Sequence, residues 1–355
     1  MGVFIFYLCH FTVIFFYLWK KGIFMKPQSF LKNLSSKWNE SYFQRKSIYA
    51  NGDSLALMKE IPDHSISLIL TDPPYHSTKK ANIVNDKAFA TDNSFLDWME
   101  AFSNEWKRIL KFNGSCFVFC SSVMEAKLSV MFEKNFNVLS HIVWTKPNEP
   151  GYDGWKGKMK KEALRQWYPQ SERIIFLEPS YGNTIGKTYF SQWLKDERTK
   201  LKISGHELTE RIGAFGKVNH GGAVSNWETG RNVPSKEQFE KIAQIFKSNG
   251  VEVPEYGDIV RKFNVNAQIE YTDVWNFQSV KQYKGKHPAE KPINMLEHCI
   301  RATTEENDIV LDCFAGSGNT LLAASNLNRF SIGIDLDKKW YENFRDSHGQ
   351  ISLFA

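Results

Sequence analysis

Residues 308–335 read DIVLDCFAGSGNTLLAASNLNRFSIGID. The segment 308–312 (DIVLD), a short Ile-Val-Leu run between two aspartates, reads as a strand. Small residues follow, from Cys313 to Asn319, and lead into a helical stretch at 320–326. A second strand is expected at 330–335 (FSIGID). Strand, helix, strand in this order signals a parallel sheet covered by helices. Working outward, 65–70 (SISLIL) reads as a buried strand, stopped by Thr71-Asp72-Pro73-Pro74 because proline cannot donate to a ladder. Helical spacing at 95–110, a break at Asn113-Gly114 and a strand at 115–120 (SCFVFC) repeat the alternation. Further strands are expected at 141–145 (HIVWT) and 173–177 (RIIFL). The fold class is therefore α/β, with helices on both faces of the sheet.

Composition narrows the class. The 355 residues are 42% hydrophobic and 24% charged, which is ordinary globular usage and excludes a disordered or fibrous chain. A net charge of +6 permits a polyanionic partner without requiring one. The five cysteines form no CxxC pair, so no zinc site, other metal centre or disulfide framework is signalled, and a reducing cytoplasmic compartment fits best. Residues 1–24 stand apart as a hydrophobic N-terminal segment. Val3 to Trp19 is almost wholly apolar and Lys20-Lys21 follows, near the lower length for a spanning helix. It reads as a membrane anchor or as sequence translated ahead of a start at Met25; the second is preferred, and a membrane partner is not expected. The remaining chain divides into a catalytic half (25–190), a helical insertion (191–250) and a second half (251–355).

Two stretches carry chemistry. In Asp312-Cys313-Phe314-Ala315-Gly316-Ser317-Gly318-Asn319-Thr320, glycines let the backbone approach a ligand, and the helix start offers amides to an anion. Asp335 ends the next strand, near the spacing at which an acid meets ribose hydroxyls. A structural turn with a surface acid is the plainer alternative. In Thr71-Asp72-Pro73-Pro74-Tyr75, a carboxylate, carbonyls left free by prolines and an aromatic face suit a planar group bearing an amine. A simple strand stop is the plainer alternative there.

In combination these motifs resemble the amino-methylating DNA methyltransferases that use S-adenosyl-L-methionine, in the permuted order where DPPY precedes FxGxG. The resemblance covers 47–111 and 307–341. It is supported by Gly52-Asp53, similar to the short acidic motif of that family, and by His287-Pro288-Ala289-Glu290-Lys291-Pro292, similar to its HPxxKP motif. Cys313 stands where the family often has Pro, and Asp335 replaces the commoner Glu. The resemblance implies a Rossmann-like methyltransferase sheet. It also implies cofactor contacts at Asp53, Lys291, Pro292, Asp312, Phe314, Ala315, Gly316, Ser317, Gly318, Thr320 and Asp335, and catalysis by Asp72, Pro73, Pro74 and Tyr75. The Pro-Cys dipeptide that C5-cytosine methylation uses is absent, so an exocyclic amine is the expected acceptor. Adenine N6 is preferred over cytosine N4, because cytosine members more often carry Ser before Pro-Pro-Tyr.

Double-stranded DNA is the expected partner, with a companion restriction endonuclease in the background. Lys156, Lys158, Lys160, Lys161 and Arg165 surround Trp155 and read as a phosphate-tracking loop, as do Lys79 and Lys80, although such runs are commonly just solvated. Helical patterns near 194–201, 205–213, 222–229 and 236–246 look like a repressor-type helix-turn-helix, with Ser225, Asn226 and Arg231 as base or phosphate contacts. In the permuted enzymes this is the place of target recognition. A non-enzymatic helix-turn-helix regulator would leave DPPY, HPAEKP and FAGSGN without a purpose, and RNA or protein methylation would leave the DNA-reading module without one.

Overall fold

In the computed structural model, residues 26–76, 89–146, 161–167, 170–181, 188–215, 222–265, 271–281 and 283–349 are described. The segment 1–24, Lys79, Lys80, Trp155, Lys156, Lys158 and Lys160 lie outside them, as does the side chain of Lys161. Among the described residues the strands are β1 (Ser41–Gln44), β2 (Ser47–Asn51), β3 (Ile66–Thr71), β4 (Leu110–Cys120), β5 (Phe136–Thr145), β6 (Ser171–Pro179), β7 (Val274–Trp275), β8 (Ile309–Asp312) and β9 (Phe330–Asp335). They form one sheet in the order β1-β2-β9-β8-β3-β4-β6-β5-β7. The helices are α1 (Pro27–Lys37), α2 (Ser54–Met58), α3 (Asp92–Ile109), α4 (Glu125–Phe132), α5 (Tyr189–Lys200), α6 (Gly205–Ile212), α7 (Ala223–Glu228), α8 (Lys236–Ser248), α9 (Tyr256–Ile259), α10 (Ile293–Thr303), α11 (Asn319–Asn326) and α12 (Lys338–Gly349).

Strand β3 shows why the sheet is covered twice. All six of its residues are buried, and alternate side chains enter different cores. Ile69 joins Val118, Leu311 and Ile332 beneath Leu31, Met99 and Phe102, while Leu68 and Leu70 join Phe117 and Val310 beneath Met295, Leu296 and Ala323. A strand buried on both faces reads as a near-continuous apolar run rather than alternating, and the two polar side chains of β3 are hydrogen-bonded, Ser67 to Asp308 and Thr71 to Asp312. Each such Leu or Ile contributes about 1.5–3 kcal/mol on burial, so one charge placed in this run would break the centre of the sheet.

The centre is also where the chain reverses direction across the sheet. From β3 the next parallel neighbour is β4 on one side, and from β8 it is β9 on the other. Strands β3 and β8 themselves pair in parallel, Leu68 opposite Val310 and Ile69 opposite Leu311. A ligand crevice is expected outside the carboxyl ends of two such strands. Segments 240 positions apart in sequence thus emerge side by side.

Three details differ from expectation. Strand β6 runs antiparallel to both β4 and β5. A parallel return needs a crossover helix, and the described part of the β5–β6 connection holds only a short 3-10 turn at Lys161–Ala163. Asn113-Gly114 does not interrupt β4 but lies in a bulge, where Ile66 faces Leu110 while Leu68 faces Ser115. A Cβ on Gly114 would sit 2.9 Å from Leu110 Cδ2, so the bulge closes only around glycine. The β1–β2 hairpin at the sheet edge had no clear sequence signal.

Helices α5 to α9 enclose a separate core of Phe190, Leu194, Leu208, Val224, Trp227, Phe239, Ile242 and Phe246. Thr188 caps α5 by accepting from the Ser191 amide, which starts that helix five residues before the periodicity suggested. The unit is tied to the sheet at the amino end of β4. Asn113 Nδ2 donates to the Gly257 carbonyl at 2.6 Å, and Phe112 stacks on Tyr189 at 4.2 Å. This is the end of the sheet remote from Asp72.

Candidate active site

Hydrogen bonds lock the two strand ends at the crossover together. Thr71 Oγ1 donates to Asp312 Oδ1 at 2.8 Å and accepts from the Cys313 amide at 3.2 Å. Asp312 Oδ1 also accepts from the Phe314 amide at 3.1 Å, and Asp312 Oδ2 accepts from the Thr320 hydroxyl at 2.6 Å. Burial pushes the Asp312 carboxyl up to about 6 against these bonds. At 4% exposure, and with both oxygens engaged, Asp312 acts as a knot between β8, β3 and α11. Cys313 is packed beside it, accepting from Trp106 Nε1 at 3.3 Å, and burial raises its thiol.

The turn after β8 uses glycine twice in left-handed conformation, Gly316 at φ 49° and Gly318 at φ 81°. A Cβ on Gly316 would lie 3.1 Å from the His287 ring, and one on Gly318 would lie 2.3 Å from Phe344 Cδ2. Tyr49 closes the turn from below, its hydroxyl donating to the Gly316 carbonyl at 2.7 Å. Asp335 Oδ2 accepts from the Gly316 amide at 2.7 Å and Asp335 Oδ1 from the Asp337 amide at 2.8 Å. Each carboxylate oxygen keeps a second lone pair. Asp53 caps α2, accepting from the Ala56 amide at 2.8 Å.

Across the crevice the catalytic candidates sit in a charged cluster. Lys291 Nζ reaches Asp72 Oδ2 at 2.5 Å, Tyr75 Oη at 3.2 Å and Glu172 Oε2 at 3.3 Å. The Tyr75 hydroxyl donates to Glu172 Oε2 at 3.0 Å, and Lys146 pairs with Glu172 Oε1. Burial works against the Lys291 charge, but the Asp72 and Glu172 carboxylates outweigh it and hold its pKa above the ordinary lysine value. Burial pushes Asp72 upward, and Lys291 opposes the shift. Glu172 is held down at about 2, where Lys291 and Lys146 overcome its burial. The four charges cancel, which allows them to lie out of water. Asp72 Oδ1 is buried and has no hydrogen-bond partner among the described residues.

A cavity of about 230 Å³ opens over both halves. Asp53, Asp72, Pro73, Pro74, Tyr75, Lys291, Asp312, Phe314, Ala315, Gly316, Ser317, Thr320 and Asp335 line it; Pro292 and Gly318 do not. Those two stand behind the wall, at the N-caps of α10 and α11. Sequence reasoning missed Trp98 and Phe102 from α3, Phe119 from β4, Trp144 from β5, Glu172 from β6, and Ser279. Ser225 and Arg231 are exposed on the separate helical unit, away from the cavity, and Asn226 is half-buried there. Among the described residues no group of three or more His, Cys, Asp or Glu could hold a metal ion, and no helix is long and apolar enough to cross a membrane.

His287 gives this site a pH signature. Burial and the nearby Lys291 charge lower its pKa to about 4, and its Nδ1 accepts from the Ala289 amide at 3.2 Å as a neutral ring must. The unfolded chain takes up this proton near pH 6.5 and the folded one only near pH 4. The His287 contribution to stability is therefore whole above pH 6.5 and is lost as pH falls toward 4, by about 2–3 kcal/mol, while Asp312, raised to about 6, contributes in the opposite sense over the same range. Urea titrations across this range should show that slope in the difference between the wild type and His287→Asn, the wild type losing stability relative to the variant as pH falls.

The sequence profile of the family described as DNA methylase, of the N6/N4 type, matches residues 66–346. Among relatives, the type II methyltransferase M.BglII of Bacillus subtilis is 24% identical over 82% of this chain and 66% of its own length. The DNA adenine methyltransferase YhdJ of Escherichia coli is 26% identical over 82% of this chain and 78% of its own length. Among solved structures, the PvuII DNA methyltransferase, named as cytosine-N4-specific, shares the fold with a TM-score of 0.53 at 17% identity, covering 86% of this chain and 88% of that one. With more than half its length inside the family profile, and with the strand-end crevice in place, the chain belongs to the N6/N4 DNA methylase family, whose methyl donor is S-adenosylmethionine.

Proposed function

We infer that the chain transfers a methyl group to the exocyclic N6 of adenine in double-stranded DNA, with the target base swung out of the duplex into the cavity. The observation that carries this reading is the unpartnered Asp72 Oδ1, a buried acceptor at the end of β3, one strand from the turn that follows β8. The residues fit the methyl donor. Gly316 presents bare backbone to the cavity, in a cradle with His287 that a Cβ would fill, and Asp335 offers acceptor lone pairs at the end of β9. Phe314, tilted against Phe102 at 5.0 Å and Trp98 at 5.6 Å, gives an aromatic wall. When bound, S-adenosylmethionine supplies a methyl carbon activated by its positive sulfur.

The chain's own residues prepare the amine. Swinging the base out costs a few kcal/mol of unstacking, and stacking on Tyr75 offsets part of it. Glu172 holds the Tyr75 hydroxyl and so fixes the ring. Asp72 Oδ1 and the Pro73 carbonyl accept the amino protons, drawing the nitrogen lone pair out of conjugation and aiming it. Lys291 keeps Asp72 anchored through the other oxygen. After incubation with DNA and a methyl-labelled donor, digestion to nucleosides should place the label on N6-methyladenine. Label on N4-methylcytosine would move the acceptor, and unlabelled DNA would end the reading.

Target choice is proposed to lie in α5 to α9, read as a repressor-type helix-turn-helix. Segment 189–260 carries 10 Lys or Arg against 10 Asp or Glu. Several of these pair internally, Arg198 with Glu228 at 2.6 Å and Arg211 with Glu207 at 2.5 Å. The unit is thus suited to selecting sequence rather than supplying phosphate affinity. Its anchorage lies roughly 20 Å along β4 from the Asp72 end of the sheet. Deleting 191–249 should leave donor binding unchanged and remove site preference; unchanged preference would assign target choice elsewhere. The type II names of several relatives extend the proposal to a companion endonuclease.

A further inference from the structure

Among the buried side-chain atoms without a hydrogen-bond partner in the described residues, two belong to residues lining the cavity: Asp72 Oδ1 and Ser279 Oγ. Ser279 is 8% exposed and sits in the segment following β7, which is laid across the end of β5. Trp144 Nε1 donates to the Phe277 carbonyl at 2.8 Å, Thr145 Oγ1 donates to the Trp275 carbonyl at 3.0 Å, and Lys286 Nζ donates to the Val280 carbonyl at 2.7 Å. These bonds fix the backbone on both sides of Ser279. The other polar groups of this wall are engaged: Lys291 with Asp72, Tyr75 and Glu172, and Glu172 with Tyr75 and Lys146.

An orphaned buried hydroxyl is destabilising unless something pairs it. Asp72 Oδ1, as a carboxylate oxygen, takes only donors, whereas a serine hydroxyl has one proton to give. One ring edge that answers both has an amine next to an unprotonated ring nitrogen. We propose that Ser279 is a base-reading residue, its hydroxyl donating to the ring nitrogen beside the amino group that Asp72 holds. Adenine N1 and cytosine N3 share this chemistry on the Watson–Crick edge, whereas on that edge thymine has a protonated N3 and no amine, and guanine sets its amine beside a protonated N1. Ser279 and Asp72 together exclude those two bases. This rests on the cavity being the site of the flipped base.

The test pairs Ser279→Ala with a substrate lacking the ring nitrogen, 1-deazaadenine for an adenine target or 3-deazacytosine for a cytosine target, placed at the methylated position of a duplex. On the natural base Ser279→Ala should lower kcat/KM by roughly 10–100-fold, the size of one well-placed hydrogen bond to a reacting base. On the deaza base wild type and variant should agree within about twofold, because the partner is gone from both. Thermal stability should be unchanged or raised, since the variant removes an unsatisfied polar atom. An equal loss on both substrates would make Ser279 merely structural and overturn the proposal, as would no loss on the natural base. Failure of the wild type to methylate DNA at all would instead overturn the reading on which the proposal rests.

Discussion

Asp72→Ala is expected to lower methyl transfer to DNA by at least about 10³-fold while S-adenosylmethionine binds within about threefold of wild type, because the lost hydrogen bonds act on the reacting amine alone. The separation follows from the geometry. Asp72 follows β3 and is the residue proposed to hold the amine, whereas Phe314 and Gly316 follow β8, Asp335 ends β9, and Trp98 and Phe102 lie on α3. The variant should also fold, because Lys291 keeps Glu172 at 3.3 Å as a partner and is not left as an uncompensated buried charge. Single-turnover assays and isothermal titration measure the two quantities. Transfer retained within tenfold would remove Asp72 from the reaction, and donor binding lost in parallel would mean that the variant disrupts the crevice as a whole.

Lys291→Ala carries the largest expected cost to stability. Lys291 is 7% exposed and compensates two buried carboxylates, Asp72 and Glu172. Removing one partner of a buried ion pair typically costs about 3–5 kcal/mol, because the remaining charge stays out of water. Glu172 retains Lys146, so Asp72 bears most of the loss. In a Glu172→Gln background the same substitution should cost less by about 1–2 kcal/mol, since Lys291 then compensates one buried carboxylate rather than two and Lys146 is released from Glu172. Urea unfolding of the four proteins closes this cycle. A cost under about 1 kcal/mol for Lys291→Ala would show that water already reaches the cluster.

The parts of the fold legible in the sequence were those whose burial writes itself into local pattern. Strands β3, β8 and β9 are covered on both faces, so SISLIL, DIVLD and FSIGID carry Ile, Leu, Val or Phe on both faces instead of alternating with exposed polar residues. Gly316, Gly318 and the Pro73-Pro74 pair are demanded by backbone geometry, and such demands are local too. What stayed hidden depends on pairing between distant segments. Glu172 lies in β6, a strand with no motif around it, and only the antiparallel insertion of β6 between β4 and β5 carries it to Tyr75. Ser279 has no motif around it and becomes notable once its hydroxyl is seen to lack a partner. Trp98 and Phe102 looked like one more amphipathic helix face, and in the fold that face continues past the core to line the crevice. The helical unit was legible as helices through Ser204, Gly213 and Ser235, yet its anchorage at the remote end of β4 depends on Asn113 and Phe112, in a bulge that read as a simple break.

The most direct measurement is a crystal structure of the chain with a non-reactive S-adenosylmethionine analogue and a duplex containing its methylation site. The account predicts an everted base stacked on Tyr75, its amino nitrogen within hydrogen-bond reach of Asp72 Oδ1, and the analogue lying along Phe314 and Asp335 on the same side of the sheet. A base left stacked in the duplex, or an analogue bound away from the ends of β3 and β8, would contradict it.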